Sequence, residues 1–184
     1  MKTALLVIPL LLIIVIWVVV SYNSLVRANI SADEAFAQIE VQLKRRADLI
    51  PNLVESVKGY AAHEKSTLDA VITARAKATS ATGVAGVAAA DGQLTTALRG
   101  LLAVAESYPD LKASTNFLAL QEELSTTENK VAFARQFYND SVRKLNQAVK
   151  TFPSSLFVGL AKVSARAFYE VENPTDRNAP QIKF

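Results

Sequence analysis

From Thr3 to Val26 no side chain is charged at neutral pH, and Ala4 to Val20 is an almost unbroken run of Leu, Ile and Val with Trp17 near its end. In a helix rising about 1.5 Å per residue this run reaches roughly 25 Å, or about 30 Å with Ser21 to Asn23 added, which matches the hydrocarbon thickness of a bilayer. The expected organisation is a transmembrane anchor over residues 1–23, contacting lipid through residues 4–20, followed by a domain over residues 24–184. A secretory signal peptide is the competing reading, since Lys2 supplies a positive start. The apolar stretch is longer than a usual h-region, however, and no A-x-A-like cleavage site follows it. Pro9 lies in the first turns, where few backbone donors have helical partners, and Trp17 and Tyr22 stand where interfacial aromatics sit.

Orientation rests on little charge. Lys2 lies on one side, and on the other Arg27 is the first basic residue before the Lys44, Arg45, Arg46 cluster. The expectation is an inside amino terminus with the domain on the extracytoplasmic face, because a long domain translocates largely regardless of its charge. The absence of cysteine suits either compartment and excludes disulfides and thiolate metal sites. A net charge of +3, with basic and acidic residues interspersed, gives no continuous basic stripe, so no nucleic-acid partner is expected.

Residues 24–184 suffice for one core, and little Gly, few aromatics and much Ala point to helices. The fold expected is all-α: the transmembrane helix, then an elongated antiparallel bundle with long first and third helices and an extended carboxy-terminal tail. Ser31 and Glu34 have capping-box spacing, and Phe36, Ile39, Leu43, Ile50, Leu53, Val57 and Tyr60 continue at three-four spacing, with Arg46 between Leu43 and Ile50. Pro51 falls inside this stripe without disturbing it, which predicts a kink there and a helix continuing to about Ser80. Gly83 and Gly86 interrupt the pattern. A second helix is expected over 88–107, with Leu94, Leu98, Leu101 and Leu102 on one face, ended by Pro109. The third is the most regular: Phe117, Leu124, Val131, Tyr138, Leu145 and Phe152 recur every seven residues, so a helix over 116–152 should pack as in a coiled coil or bundle. Pro153 ends it. A short amphipathic segment, Ser155 to Val163, leads to a tail in which Phe168, Tyr169, Ile182 and Phe184 are available to lie on the bundle.

The positions taken as the other seam line of the third helix are Gln121, Glu128, Arg135, Val142 and Val149. Buried charges need partners, so Arg46, Glu128 and Arg135 are expected to form an interior polar layer, with Asp48 or Gln121 completing it. Such a layer either fixes helix register or forms a ligand or proton site inside the bundle. Catalytic candidates are poor. His63 is the only histidine, which fails the zincin and di-iron patterns, and no serine stands in a G-x-S-x-G context. The expectation is therefore no enzyme, no cofactor and no metal.

Several strings go beyond periodicity. VQLKRRADLIPNLVESVKGYAAHE, Val41 to Glu64, with YNSLV, Tyr22 to Val26, upstream, closely resembles the signature segment of the LemA family. SYPDLKASTNFLALQEELSTTENKVAFARQFYNDSV, Ser107 to Val142, and FPSSLFVGLA, Phe152 to Ala161, resemble its second and third signatures, and the closing APQIKF is similar to its usual end. The segment between Thr79 and Leu94 is least similar. The resemblance implies a single-pass protein of the bacterial inner membrane with a helical bundle and no accepted reaction or cofactor. Some relatives are associated with membrane organelle formation. Within the first signature, Lys44, Arg45, Asn52, Lys58 and Tyr60 are expected to be exposed and open to partner contacts. The leading functional expectation is a membrane-anchored scaffold that forms homo-oligomers and organises protein partners, themselves unidentified, or membrane at the inner-membrane surface. The alternative is a sensor or accessory subunit binding a small ligand or peptide at the polar layer.

Overall fold

The computed structural model describes residues 2–61 and 63–170, with side chains from Ile8 onward. The fold is all-α, and no strand occurs among the described residues. The helices are α1 (Lys2–Lys58), α2 (Lys65–Ser80), α3 (Gly83–Ala105), α4 (Pro109–Lys112), α5 (Thr115–Lys150) and, after a 3-10 turn at Ser154–Phe157, α6 (Val158–Ala161). The tail's Pro174, Pro180, Ile182 and Phe184 lie outside the described residues.

Helix α1 runs without a break from the apolar segment to Lys58, so Ser31 and Glu34 lie within it and start nothing. It also passes through Pro51. Proline has no N–H, which frees the carbonyl of Ala47 one turn earlier. That carbonyl accepts a hydrogen bond from Arg75 Nε of α2 at 2.8 Å, so a neighbouring helix replaces the missing donor.

The first helix does not continue to Ser80. It ends at Lys58, the chain turns through Gly59 and Tyr60, and α2 begins at Lys65. The N–H groups of Tyr60 and Ala61 both bond to the Val57 carbonyl, at 3.0 and 2.8 Å, closing the helix end tightly. Apolar periodicity continues across the turn because both halves face one core: Ile50, Leu53 and Val57 share a buried cluster with Leu68, Val71 and Ala74. A single straight helix would hold these two sets apart along its axis, whereas the turn lets each cover the other.

Helix α3 starts at Gly83 instead of Ala88. Gly83 has φ +70°, a left-handed conformation that glycine adopts without the Cβ penalty of other residues. Helices α2 and α3, joined by two residues, Ala81 and Thr82, pack against each other as a hairpin. Helix α5 lies close to its expected bounds, but Phe152 falls beyond its end and is 70% exposed.

The chain forms two compact units. One comprises α1 up to Ala37 with Gln136–Phe168; the other comprises Gln38–Arg135 with Tyr169 and Glu170. In the first, Leu25, Ala32 and Ala35 of α1, Tyr138, Val142 and Leu145 of α5, and Val163 are buried, with the Phe36 and Tyr138 rings 5.6 Å apart. The extended segment after α6 is held by polar contacts. Asn146 accepts from the Arg166 N–H at 2.8 Å and donates to the Arg166 carbonyl at 2.9 Å, while the Tyr138 hydroxyl donates to the Ala167 carbonyl at 3.0 Å. The Arg166 guanidinium reaches Asn29 at 2.8 Å and Asp33 at 2.9 Å. In the same unit the residues of the apolar run, Ile8 to Val20, remain largely exposed. The second unit has the larger apolar core, to which Leu94, Leu98 and Leu101 of α3, Leu111 of α4, and Phe117 and Leu124 of α5 contribute.

Candidate functional site

Arg46 lies at a core-facing position of α1, one turn before Ile50, and is 3% exposed. Its Nη1 donates to Asp91 Oδ1 at 3.0 Å and to Thr95 Oγ1 at 2.9 Å, both on α3. Its Nη2 stands 3.7 Å from Glu128 Oε2 on α5, and its Nε is buried without a hydrogen-bond partner. Asp91 is also 3% exposed, and its second carboxylate oxygen accepts from the Tyr169 hydroxyl at 3.2 Å. The Arg135 guanidinium lies over the Tyr169 ring, 5.2 Å from its centroid. Two arginines, a buried carboxylate and a buried phenol thus form one network in the second unit. Burial pushes the Tyr169 hydroxyl well above its ordinary pKa, and the charge and hydrogen bond of Asp91 push it further, against the opposing pull of Arg135 and Arg46.

Asp91, Thr95 and Tyr169 are the members the sequence reading missed. Asp91 was legible: Asp91, Leu94, Leu98, Leu101 and Ala105 follow one three-four stripe, which puts the carboxylate on the buried face of α3. Of the expected layer, Arg46 is buried and Arg135 half-buried. Glu128 reaches Arg46 from a side chain that is 53% exposed, and Gln121 and Asp48 lie on the exposed surface. The reason lies in α5. Its Phe117 line is flanked on one side by Leu120, Thr127, Ala134, Ser141 and Ala148 and on the other by Gln121, Glu128 and Arg135. The first row contains the small residues, and Thr127 and Ser141 of that row are buried. The second row continues as Val142, which is buried, and Val149, so burial follows side-chain polarity: the long polar side chains of Gln121 and Glu128 stay at the surface and the apolar or short ones do not.

The network borders a cavity of about 860 Å³ whose walls come from α2, α3 and α5, with Arg46 of α1. Arg46, Asp91 and Arg135 line it together with Asp69 and Lys77 of α2 and Arg99 of α3, while Ala70, Ala74, Ala88 and Ala89 leave the space unfilled. Its lining holds charges of both signs, which suits a polar ligand or a peptide with mixed charge. His63 is exposed in the turn before α2, and no cluster of metal-ligating side chains occurs among the described residues.

The chain matches the LemA family over residues 35–184. It is a member of the LemA family. It is also similar to two named proteins: the magnetosome protein MamQ of Magnetospirillum gryphiswaldense, at 26% identity over 72% of this chain and 58% of that protein, and Protein LemA of Metamycoplasma hominis, at 28% identity over 71% and 60%. This LemA-family chain therefore spans about 58–60% of the length of the relatives it matches. In its first signature Lys44, Arg45, Asn52, Lys58 and Tyr60 are all exposed, and Arg45 pairs with Glu123 at 3.0 Å across a surface where both are solvated.

Proposed function

We propose that the protein is a membrane-anchored, non-enzymatic scaffold that self-associates and presents its helical unit to partners at the inner-membrane surface. The observation that carries this reading is α1, a single helix long and apolar enough to cross a membrane. Its exposed apolar residues, Ile8 to Val20, precede the residues Ile50, Leu53 and Val57 that build a core. An exposed apolar run of this size is costly in water and favourable in lipid. Exposed aromatic surface in the second unit, such as Phe133 at 73%, supports protein contacts. The similarity to a magnetosome protein fits a role at an organising membrane, and neither relative carries an enzyme name.

Two measurements on the full chain test the reading. Alkaline carbonate extraction should leave the protein in the membrane pellet. A photoreactive residue in place of Phe133 should give adducts larger than the monomer in native membranes; monomer alone at every expression level would refute the scaffold.

A second reading is favoured by the cavity beside Arg46: a sensor or accessory subunit that takes a small ligand or peptide there. Internal pairing of Arg46 with Asp91 suits a register layer, whereas the open space and the unpartnered Arg46 Nε suit a site. Titrating the full chain in detergent with short peptides that carry both acidic and basic residues separates the two readings. A site gives saturable heat that Arg135→Gln and Arg99→Gln abolish, and a register layer gives none.

A further inference from the structure

Between Lys150 and Lys162 eleven consecutive residues, Thr151 to Ala161, carry no charge. They contain the 3-10 turn and α6, and three of their large apolar side chains point outward at four-residue intervals: Phe152 is 70% exposed, Leu156 65% and Leu160 74%. Exposed apolar groups are ordinary when scattered, but three on one short segment with a lysine at each end form an amphipathic pattern.

The position of this segment within its unit gives the pattern a meaning. The Phe152 ring lies 5.5 Å from the Trp17 ring, and the Phe157 ring meets Tyr22 edge-on at 6.5 Å. Trp17 and Tyr22 stand at the end of the apolar run of α1, where interfacial aromatics anchor a spanning helix. In a bilayer spanned by α1, these contacts would hold the segment at the depth where hydrocarbon gives way to headgroups.

We propose that residues 152–160 form a second membrane contact, with Phe152, Leu156 and Leu160 inserted into the headgroup and acyl boundary beside the anchor. Lys150 and Lys162, both exposed, flank the insertion and can meet lipid phosphates. The occupant of this face is the bilayer itself, because the face adjoins the exposed apolar run of α1 at Trp17 and bears no charge that a soluble partner would pair. The inference rests on the anchoring of α1 in the membrane.

The chain has no cysteine, so single cysteines can be introduced into the full-length protein, labelled with an environment-sensitive fluorophore and reconstituted in vesicles of phosphatidylethanolamine and phosphatidylglycerol. Leu156→Cys and Leu160→Cys are the test positions, Ile13→Cys reports the anchor, and Arg143→Cys on an exposed part of α5 reports water. The expected result is loss of fluorescence at 156 and 160 with a quencher carried on shallow acyl positions, loss at 13 with a deep one, and loss at 143 only with aqueous iodide. Labels at 156 and 160 that respond only to iodide, while 13 responds to lipid, would overturn the second contact and leave the anchor standing. Shielding of 156 and 160 from both quenchers would assign the face to another protein chain and also overturn it. An iodide response at 13 would remove the anchor and the second contact together.

Discussion

At the residue scale the pair Arg46 and Asp91 is where a single substitution should cost most. Asp91→Ala leaves a guanidinium buried with Thr95 as its close remaining partner. Removing one member of a buried ion pair typically costs about 3–5 kcal/mol, so urea denaturation of the full chain in detergent should show a loss of that order. Arg46→Met combined with Asp91→Leu should cost less than Asp91→Ala alone, because no charge is left unpaired. Tyr169 makes a pH-dependent prediction. Its folded pKa is raised above the unfolded value of about 10, so its contribution to stability is fully present below about pH 10 and is lost as the pH rises towards the higher folded value. Stability should stay level with respect to this group at neutral pH and fall on the alkaline side, and Tyr169→Phe should remove that component of the fall. Tyr138, raised chiefly by burial, should contribute in the same direction, so the comparison is made against Tyr138→Phe as well.

Among the elements, α1 and α2 are tied by the exchange at Pro51. With proline in place, Arg75→Met orphans the Ala47 carbonyl and should cost about 1–3 kcal/mol, the usual penalty for an unsatisfied buried polar group. In a Pro51→Ala background the helix supplies its own donor to that carbonyl, and the same Arg75→Met change should cost clearly less. A thermal double-mutant cycle measures this coupling, and additive costs would mean that Arg75 and Pro51 act separately. The segment after α6 depends on a different clamp. Asn146→Ala removes both hydrogen bonds to the Arg166 backbone, and amide hydrogen exchange over residues 163–168 should speed up while that of the α3 core stays unchanged. Much at this scale was legible in the sequence: the extent of α5 follows from its seven-residue recurrence and from Pro153, and the passage through Pro51 and the burial of Arg46 follow from three-four spacing. The turn at Gly59 was not legible, because a helix that folds back onto its own stripe keeps the same periodicity as one that continues. Nor was the exposure of Gln121 and Glu128 beside the Phe117 line, since heptad spacing alone does not say how far burial spreads to either side of it.

For the whole molecule, membrane attachment was the most legible property, since a run of apolar residues long enough to span a bilayer has few other stable environments. Sidedness was not, because Lys2 and Arg27 nearly balance. A reporter fused after Phe184 that is active only outside the cytoplasm is the outcome expected from an inside amino terminus, and cytoplasmic activity would reverse that topology. The interior site was half visible: its arginines lay on the expected lines and the Asp91 carboxylate on the apolar stripe of α3, but only the tertiary fold brings that carboxylate and the Tyr169 phenol to the arginines. The contact of Trp17 with Phe152 has a practical consequence, because Trp17 is the only tryptophan in the chain. Every photon of tryptophan emission from the intact protein originates where α1 meets residues 152–160. An unlabelled sample thus carries its own gauge of that junction, and a shift of its emission to longer wavelength would signal water arriving there before any helix had melted.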